Sequence, residues 1–367
     1  MKKRLLGIII LILLVGGAIF IKSFLNQNEV SEKNLSSLEG DERKEVKIAN
    51  LSDEEFFLDE KIKEIMNLKY NFDVNYEELS NEESSSLFLN NENLDYDLIF
   101  SKKDILNNLE LENSEENSNT FSYENILSTP LVIYSWDEVV DVLINEDIVN
   151  EKDEVYYITD MNKLINYILE EKKWSDLGLD KIYGNINIIS ADPTNTSSGA
   201  SYYGLLLSAM SKEASNIEDN FPKLKQIYDK SGYMSSNEEN LFDRYVRFGM
   251  TAVPMFVDYE KNIIKFANSN SDAYKQIESK IRILYPSQTI FEEFTLESST
   301  ENGDNFKNVF LDSEFQKIVL EKFGLRNKNE NTEVSDIKWI QKDMPEICQI
   351  LDSNTYQELI SYLNENK

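Results

Sequence analysis

The sequence predicts an α/β protein, large enough for two ordinary domains or one bilobed domain, behind a single N-terminal apolar helix. Three observations predict it. The 367 residues are 41% hydrophobic, enough to build sizeable cores. Apolar residues alternate at period two in some segments and recur at helical spacing in the segments between them. Leu5 to Ile21 is one apolar run without a charge.

That run comes first. As a helix it spans roughly 25 Å, just enough to cross a thin bilayer. Lys2, Lys3 and Arg4 precede it, and positive residues stay on the cytoplasmic side, so the bulk of the chain is expected outside the cytoplasm. Gly16-Gly17-Ala18 offers small residues for cleavage of a secretory signal. The run continues to Ile21 and ends at Lys22, as an uncleaved anchor would, and its length favours the anchor. The sole cysteine, Cys348, lies far from it, so neither lipid attachment there nor an intrachain disulfide is expected. Residues 23–44 are polar, mixed in charge and without periodicity, as in a tether.

Folded patterning starts at Glu45. EVKIAN alternates and predicts a strand over 45–50. Ser52 to Glu55 has the spacing of a capping box, followed by Leu58, Ile62, Ile65 and Met66 on one helical face. Strands are predicted again at Asn71 to Tyr76 and Tyr96 to Ser101, giving a right-handed βαβ unit in a largely parallel sheet. Polar stretches at 81–93 and 112–120 have the composition of surface insertions. Further strands are predicted at Thr129 to Trp136, Asn185 to Ser190, Pro254 to Tyr259, and Ile281 to Leu296 with a break at Pro286. Helices are predicted around Leu164 to Leu169, around Tyr203 to Met210, and near the C-terminus. No internal repeat is visible.

Charge and composition exclude several functions. There are 37 basic and 67 acidic residues, a net charge of −30, and no histidine. Such a surface repels nucleic acid and anionic lipid. Without histidine there is no His-based triad and no His-ligated zinc. No cofactor or metal site is expected. Asp192 and Glu260 are acids of the type that hydrolyse glycosides, but nothing in their context pairs them, so no enzyme is expected.

The segment richest in chemistry is Ser190 to Gly204, SADPTNTSSGASYYG. A strand enters a loop of hydroxyl, amide and glycine residues, and a helix begins. Its first turn offers unpaired N–H groups and the positive end of the helix dipole, which suit an anion or a ligand carboxylate. Thr196, Ser197 and Ser198 can add side-chain donors, and Gly199 lets a ligand approach the backbone. The competing reading is ordinary helix capping by Ser197 or Ser198. No lysine stands at a phosphate-binding position, so this is no P-loop. Ser52 and Ser101 follow strands and can donate in the same way, although capping accounts for Ser52 and an ordinary loop for Ser101.

The order of segments from about Glu45 to Arg326 resembles a type II periplasmic (extracellular) solute-binding protein of an ABC importer. YDLIFS at Tyr96, TPLVIYSW at Thr129, SADPTNTSSG at Ser190, and ILYPSQTIFEEF at Ile283 with DSEFQKIVLEKFGLR at Asp312 carry the resemblance. Within the wider family, molybdate- and sulfate-binding proteins share such loops. The resemblance implies two α/β lobes joined by a hinge of two crossover strands, with residues 1–22 as anchor or signal and 23–44 as linker. Lobe 1 would hold residues 45–129 and 287–345, lobe 2 residues 130–286, and residues 346–367 would form a helical tail. A small-molecule solute, an anion being the helix-terminus preference, would lie between the lobes. It would be contacted by Ser52, Ser101, Thr196, Ser197, Ser198 and Gly199, with Tyr259 and Glu260 on a later loop of lobe 2. Tyr259 has an equal reading as a core-edge aromatic. A sugar or peptide ligand would draw on Trp136, Tyr202 and Tyr203. A membrane permease would be the partner, with the N-terminal helix in the cytoplasmic membrane. A rival reading is a membrane-anchored interaction or sensor protein using the same fold without transport, because fold does not fix function.

Overall fold

The computed structural model describes residues 43–79, 95–103, 122–211, 216–231, 239–298, 300–327, 337–348 and 353–365. The N-terminal apolar run, nearly all of the linker and both polar insertions lie outside the described residues. Among the described residues no helix is long and apolar enough to cross a membrane.

In chain order the strands are β1 (Lys44–Leu51), β2 (Phe72–Glu78), β3 (Leu98–Lys103), β4 (Ser122–Trp136), β5 (Val149–Lys152), β6 (Val155–Ile158), β7 (Met255–Tyr259), β8 (Ile281–Pro286), β9 (Gln288–Thr289), β10 (Phe291–Ser298), β11 (Arg326–Asn327) and β12 (Glu346–Ile347). The helices are α1 (Glu60–Glu64), α2 (Asp137–Asn145), α3 (Met161–Leu169), α4 (Ser197–Ser211), α5 (Phe221–Lys230), α6 (Glu239–Phe248), α7 (Lys261–Ser269), α8 (Ser271–Ile277), α9 (Glu301–Phe306), α10 (Ser313–Phe323) and α11 (Ser353–Asn364).

Two separate apolar cores divide these elements. In the first, β1 pairs in parallel with β2 and β3, and the alternation that marks Val46 and Ile48 buries both. β10 joins β3 antiparallel and then β4. Helices α9 and α10 cover this sheet, and Phe56 sits among the rings of Phe57, Phe100, Phe310 and Phe315. Edge-to-face contacts of this kind add to the area the rings bury. The second core lies under α2 to α8 around β7, β8 and the second half of β4. Helix α3 is typical of its cover. Asp160 caps it by accepting from the Lys163 N–H at 2.8 Å, and Leu164, Ile165 and Ile168 face inward.

β4 belongs to both cores. Its residues up to Pro130 pair with β10, and from Leu131 onward they pair with β7 and then β8. Pro130 ends one pairing and lacks an N–H, so no ladder bond is lost where the strand changes partners. The return crossover runs from β8 through β9 to β10. The two crossovers bind each other through Leu131 N–H to the Ile290 carbonyl (2.9 Å) and Thr289 Oγ1 to the Leu131 carbonyl (2.6 Å).

Four details differ from the sequence reading. The sheet is mixed rather than largely parallel, because β10 runs antiparallel to β3 and β4, and β8 runs antiparallel to β4 although parallel to β6. Ser52 to Glu55 caps no helix. The Ser52 hydroxyl accepts from Glu54 N–H two residues on, and Asp59 caps α1 instead. Residues 185–190 run without ladder pairing apart from two isolated bridges, Asn185 to Lys173 and Ile189 to Phe256. Their alternation reports the burial of Ile186 and Ile188 in the second core rather than a ladder. The C-terminal helical tail is α11, and it packs on the second core. Ile337, Trp339 and Ile340 pack on the second core instead of the first, β12 adds a parallel strand to β9, and Tyr356, Leu359 and Leu363 of α11 are buried.

Candidate functional site

On the first lobe the loop after β1 is shaped by Asn50. Its amide nitrogen donates to the carbonyl of Ser52 (2.8 Å), and its carbonyl oxygen accepts from the Ser52 N–H (3.1 Å) and hydroxyl (2.8 Å). Tyr76 Oη donates to the Glu54 carbonyl at 3.1 Å. This turn carries Asp53 and Glu54 to the lobe boundary and leaves Glu54 fully buried. Ser101, on β3, shares a hydrogen bond of 2.8 Å with Thr295 directly opposite on β10. Both serines predicted to face a ligand therefore hold strand ends in place.

On the second lobe the loop before α4 is an Asx turn. Asp192 accepts from the Thr194 N–H (3.0 Å) and hydroxyl (2.8 Å), and its carbonyl accepts from the Thr196 hydroxyl (2.6 Å). Thr196, Ser197 and Ser198 are buried. Ser197 Oγ lies 3.1 Å, and Ser201 Oγ 2.9 Å, from the phenol oxygen of Tyr259, so Tyr259 pins the first turn of α4 to the end of β7. Gly199 meets the protein itself: a Cβ there would stand 2.5 Å from the Ala191 carbonyl oxygen. Trp136, Tyr202 and Tyr203, offered as cleft aromatics, lie in the second core, and Trp136 donates its indole N–H to the Val253 carbonyl.

Between the two sets of strand ends sits a network of charge. Lys261, at the start of α7, donates to Glu54 at 2.9 Å and to Glu292 of β10. Lys265, one turn on, donates to Glu54 at 2.8 Å. Lys102 lies 3.7 Å from Glu292 and 3.9 Å from Asp53. The Lys261 ammonium also lies 5.2 Å from the ring centroid of Phe294 and 5.9 Å from that of Tyr259. Burial alone would push the Lys261 pKa down, but Glu292, Glu54 and Asp53 outweigh it and hold it well above the ordinary lysine range. Burial lifts Glu292, against Lys261 and Lys102. At Asp53 desolvation is overcome by Lys261, Lys102 and Lys265, which bring it down to about 2.

Glu260 is turned away from this network. It is fully buried, accepts from Arg326 Nε at 2.7 Å and Nη2 at 2.8 Å, and accepts from the Tyr285 hydroxyl. Arg326, also buried, continues to the carbonyls of Gln341 (2.5 Å) and Lys342 (3.4 Å). Its strand β11 pairs with β4 at Ser128, so this ion pair flanks the crossover. The guanidinium thus ties Glu260 to the segment carrying Gln341 and Lys342.

The structure thus brings Tyr259 and Ser197 together, and the loop carrying Ser52 against Lys261. It leaves Ser101 and Glu260 bound to other partners. Lys261, Lys265, Glu54, Glu292 and Lys102 were not anticipated. The only local signal was a lysine just after a strand end and a glutamate within the return crossover, which any surface loop also shows. Among the described residues no group of three or more His, Cys, Asp or Glu is arranged to hold a metal ion.

No protein-family model and no curated protein matches the chain. Solved structures do. Apo ferric ion-binding protein A of Pasteurella haemolytica superposes with a TM-score of 0.58 at 12% identity, covering 88% of this chain and 97% of that one. An ABC transporter protein of Clostridium perfringens gives 0.53 at 13%, covering 86% and 96%. The spermidine/putrescine substrate-binding protein PotD of Streptococcus pneumoniae gives 0.50 at 13%, covering 87% and 98%. The chain has the two-lobed α/β fold of these binding proteins.

Proposed function

We propose that the protein is an extracytoplasmic solute-binding protein that captures a small ligand between its lobes for an ABC importer. The observation that carries this reading is the convergence of strand ends from both lobes beside two crossover strands. The loop after β1, the end of β3, the first turn of α4 and the end of β7 meet around one buried network. Ligands in open α/β sheets lie at such carboxyl ends of strands. The reading includes a permease as partner, an N-terminal helix in the cytoplasmic membrane or cleaved as a signal, and no catalytic step. For the solute two classes compete. The N-terminus of α4 favours an anion, whereas the neighbours named for ferric ion and for spermidine or putrescine take cations.

A second reading is a membrane-anchored interaction or sensor protein with the same fold. One observation favours it: the hydroxyls of Thr196 and Ser197 and the carboxylates of Glu54 and Glu292 already have partners within the chain.

Native mass spectrometry of the protein, purified without refolding, separates the two. A retained small mass, lost on Ser197→Ala with Ser198→Ala, is expected for solute binding. No retained mass, and no thermal stabilisation across anions, sugars, amino acids, polyamines and metal ions, would favour the interaction protein.

A further inference from the structure

Helix α7 has two faces with different tasks. Ile263 and Ile264 are buried in the second core. Lys261, Lys265 and Asn268, at i, i+4 and i+7, all point to the first lobe. Lys261 and Lys265 reach Glu54, and Asn268 Nδ2 donates to the Glu321 carbonyl at 2.6 Å. The helix is anchored in one lobe and presents two ammonium groups to the other.

The lobe boundary sets the electrostatic problem that these groups solve. Glu54 and Glu292 lie on first-lobe elements, and their side chains are 0% and 1% exposed with the lobes together. With the lobes together, both are withdrawn from water. Burying two carboxylates without a counter-charge is strongly unfavourable. The Lys261 ammonium bonds to both, itself only 6% exposed, and two aromatic rings flank it. These are the contacts a buried organic ammonium requires: charge-assisted hydrogen bonds and ring faces.

We infer that Lys261 is a built-in counter-ion, an ammonium that the second lobe inserts between Glu54 and Glu292 of the first and that lets the lobes close with no solute between them. Closure here is then not a report of solute. A solute that enters the boundary at this point has to displace Lys261 from two carboxylates. The inference concerns the protein without added ligand and stands whether or not a solute is captured elsewhere in the cleft.

The test is an interlobe distance distribution from paired spin labels on the full chain in detergent, at Lys63→Cys in α1 and Lys223→Cys in α5. Both positions are exposed and the native Cys348 is buried. Without ligand, one narrow distribution is expected. Lys261→Met leaves Glu54 to Lys265 alone and Glu292 to Lys102 at 3.7 Å, removes the one cation that bonds to both, and is expected to shift the distribution to longer distances and broaden it. Lys261→Met combined with Glu54→Gln and Glu292→Gln carries no charge at the three positions, and is expected to restore the narrow, short distribution. Should Lys261→Met fail to fold, Glu54→Lys sets a third ammonium against Lys261 and Lys265 and is expected to open the lobes with each still folded. A wild-type distribution that is already broad overturns the inference. So does a narrow, short distribution in Lys261→Met or Glu54→Lys, or a triple variant that stays open, which would make packing of α7 the cause of closure.

Discussion

The Lys261 ammonium and the Glu54 carboxylate lie 2.9 Å apart across the boundary between two lobes, both buried, although 207 positions separate them in sequence. With Glu292 on its other side, Lys261 fills the place where strand ends from both lobes converge. The boundary between the lobes is therefore organised around an internal cation.

The pair behind the crossover gives a stability prediction. Arg326→Met leaves Glu260 buried beside Tyr285 without its cation. Removing one partner of a buried pair costs about 3–5 kcal/mol. The urea midpoint, followed by tryptophan fluorescence, should fall accordingly. Arg326→Lys should recover only part of the loss, because an ammonium cannot make the paired contacts of Nε and Nη2. A variant as stable as the wild type would show that this pair does not stabilise the crossover.

Glu297 on β10 predicts a pH dependence. Burial raises its pKa from 4.5 to about 7. Between those values the folded state holds a proton that the unfolded chain has released, so this group's contribution falls as pH rises through the window. Glu297→Gln should match the wild type below about pH 4.5 and exceed it by about 3 kcal/mol above about pH 7. Paired denaturant titrations across that range test it, and a difference independent of pH would refute it.

Gly324 ends α10 with φ at +71°, and a Cβ there would stand 2.5 Å from the Lys261 Cα. Gly324→Ala therefore combines left-handed strain with a backbone clash at the lobe boundary, and should cost more than about 2 kcal/mol. Gly178→Ala supplies the control: φ is +85° but nothing lies within 4 Å, so strain alone, about 1 kcal/mol, is expected. Melting temperatures compare the two, and equal losses would mean that the approach of Lys261 is slack.

Much of the architecture was legible because periodicity reports burial. Val46 and Ile48, the apolar run from Leu131 to Tyr134, and Leu164 with Ile165 and Ile168 each match the side of the element that meets a core. The same fact explains the misreading at 185–190, where alternation accompanies burial without a ladder. The loop before α4 was visible as a chemical oddity. Its occupation by the chain was not, since Tyr259 reaches Ser197 from 62 positions away. Ser52 shows the limit of a local motif: its hydroxyl donates to the Asn50 side-chain oxygen and accepts from the Glu54 N–H, and it caps no helix.

By itself, the sequence determined most of the extended and helical segments, a strongly acidic composition without histidine, and an apolar run ahead of an acidic folded part. Those properties depend on neighbours along the chain and on summed charge. Only the tertiary structure decided that α7 would face both lobes, that Glu260 would be spent on Arg326, and that Lys261 would meet Glu54 and Glu292. Such pairings join residues distant in sequence, and a charged side chain looks alike whether water or a carboxylate awaits it. Burial makes the difference, because an ion removed from water must find its partner within the fold.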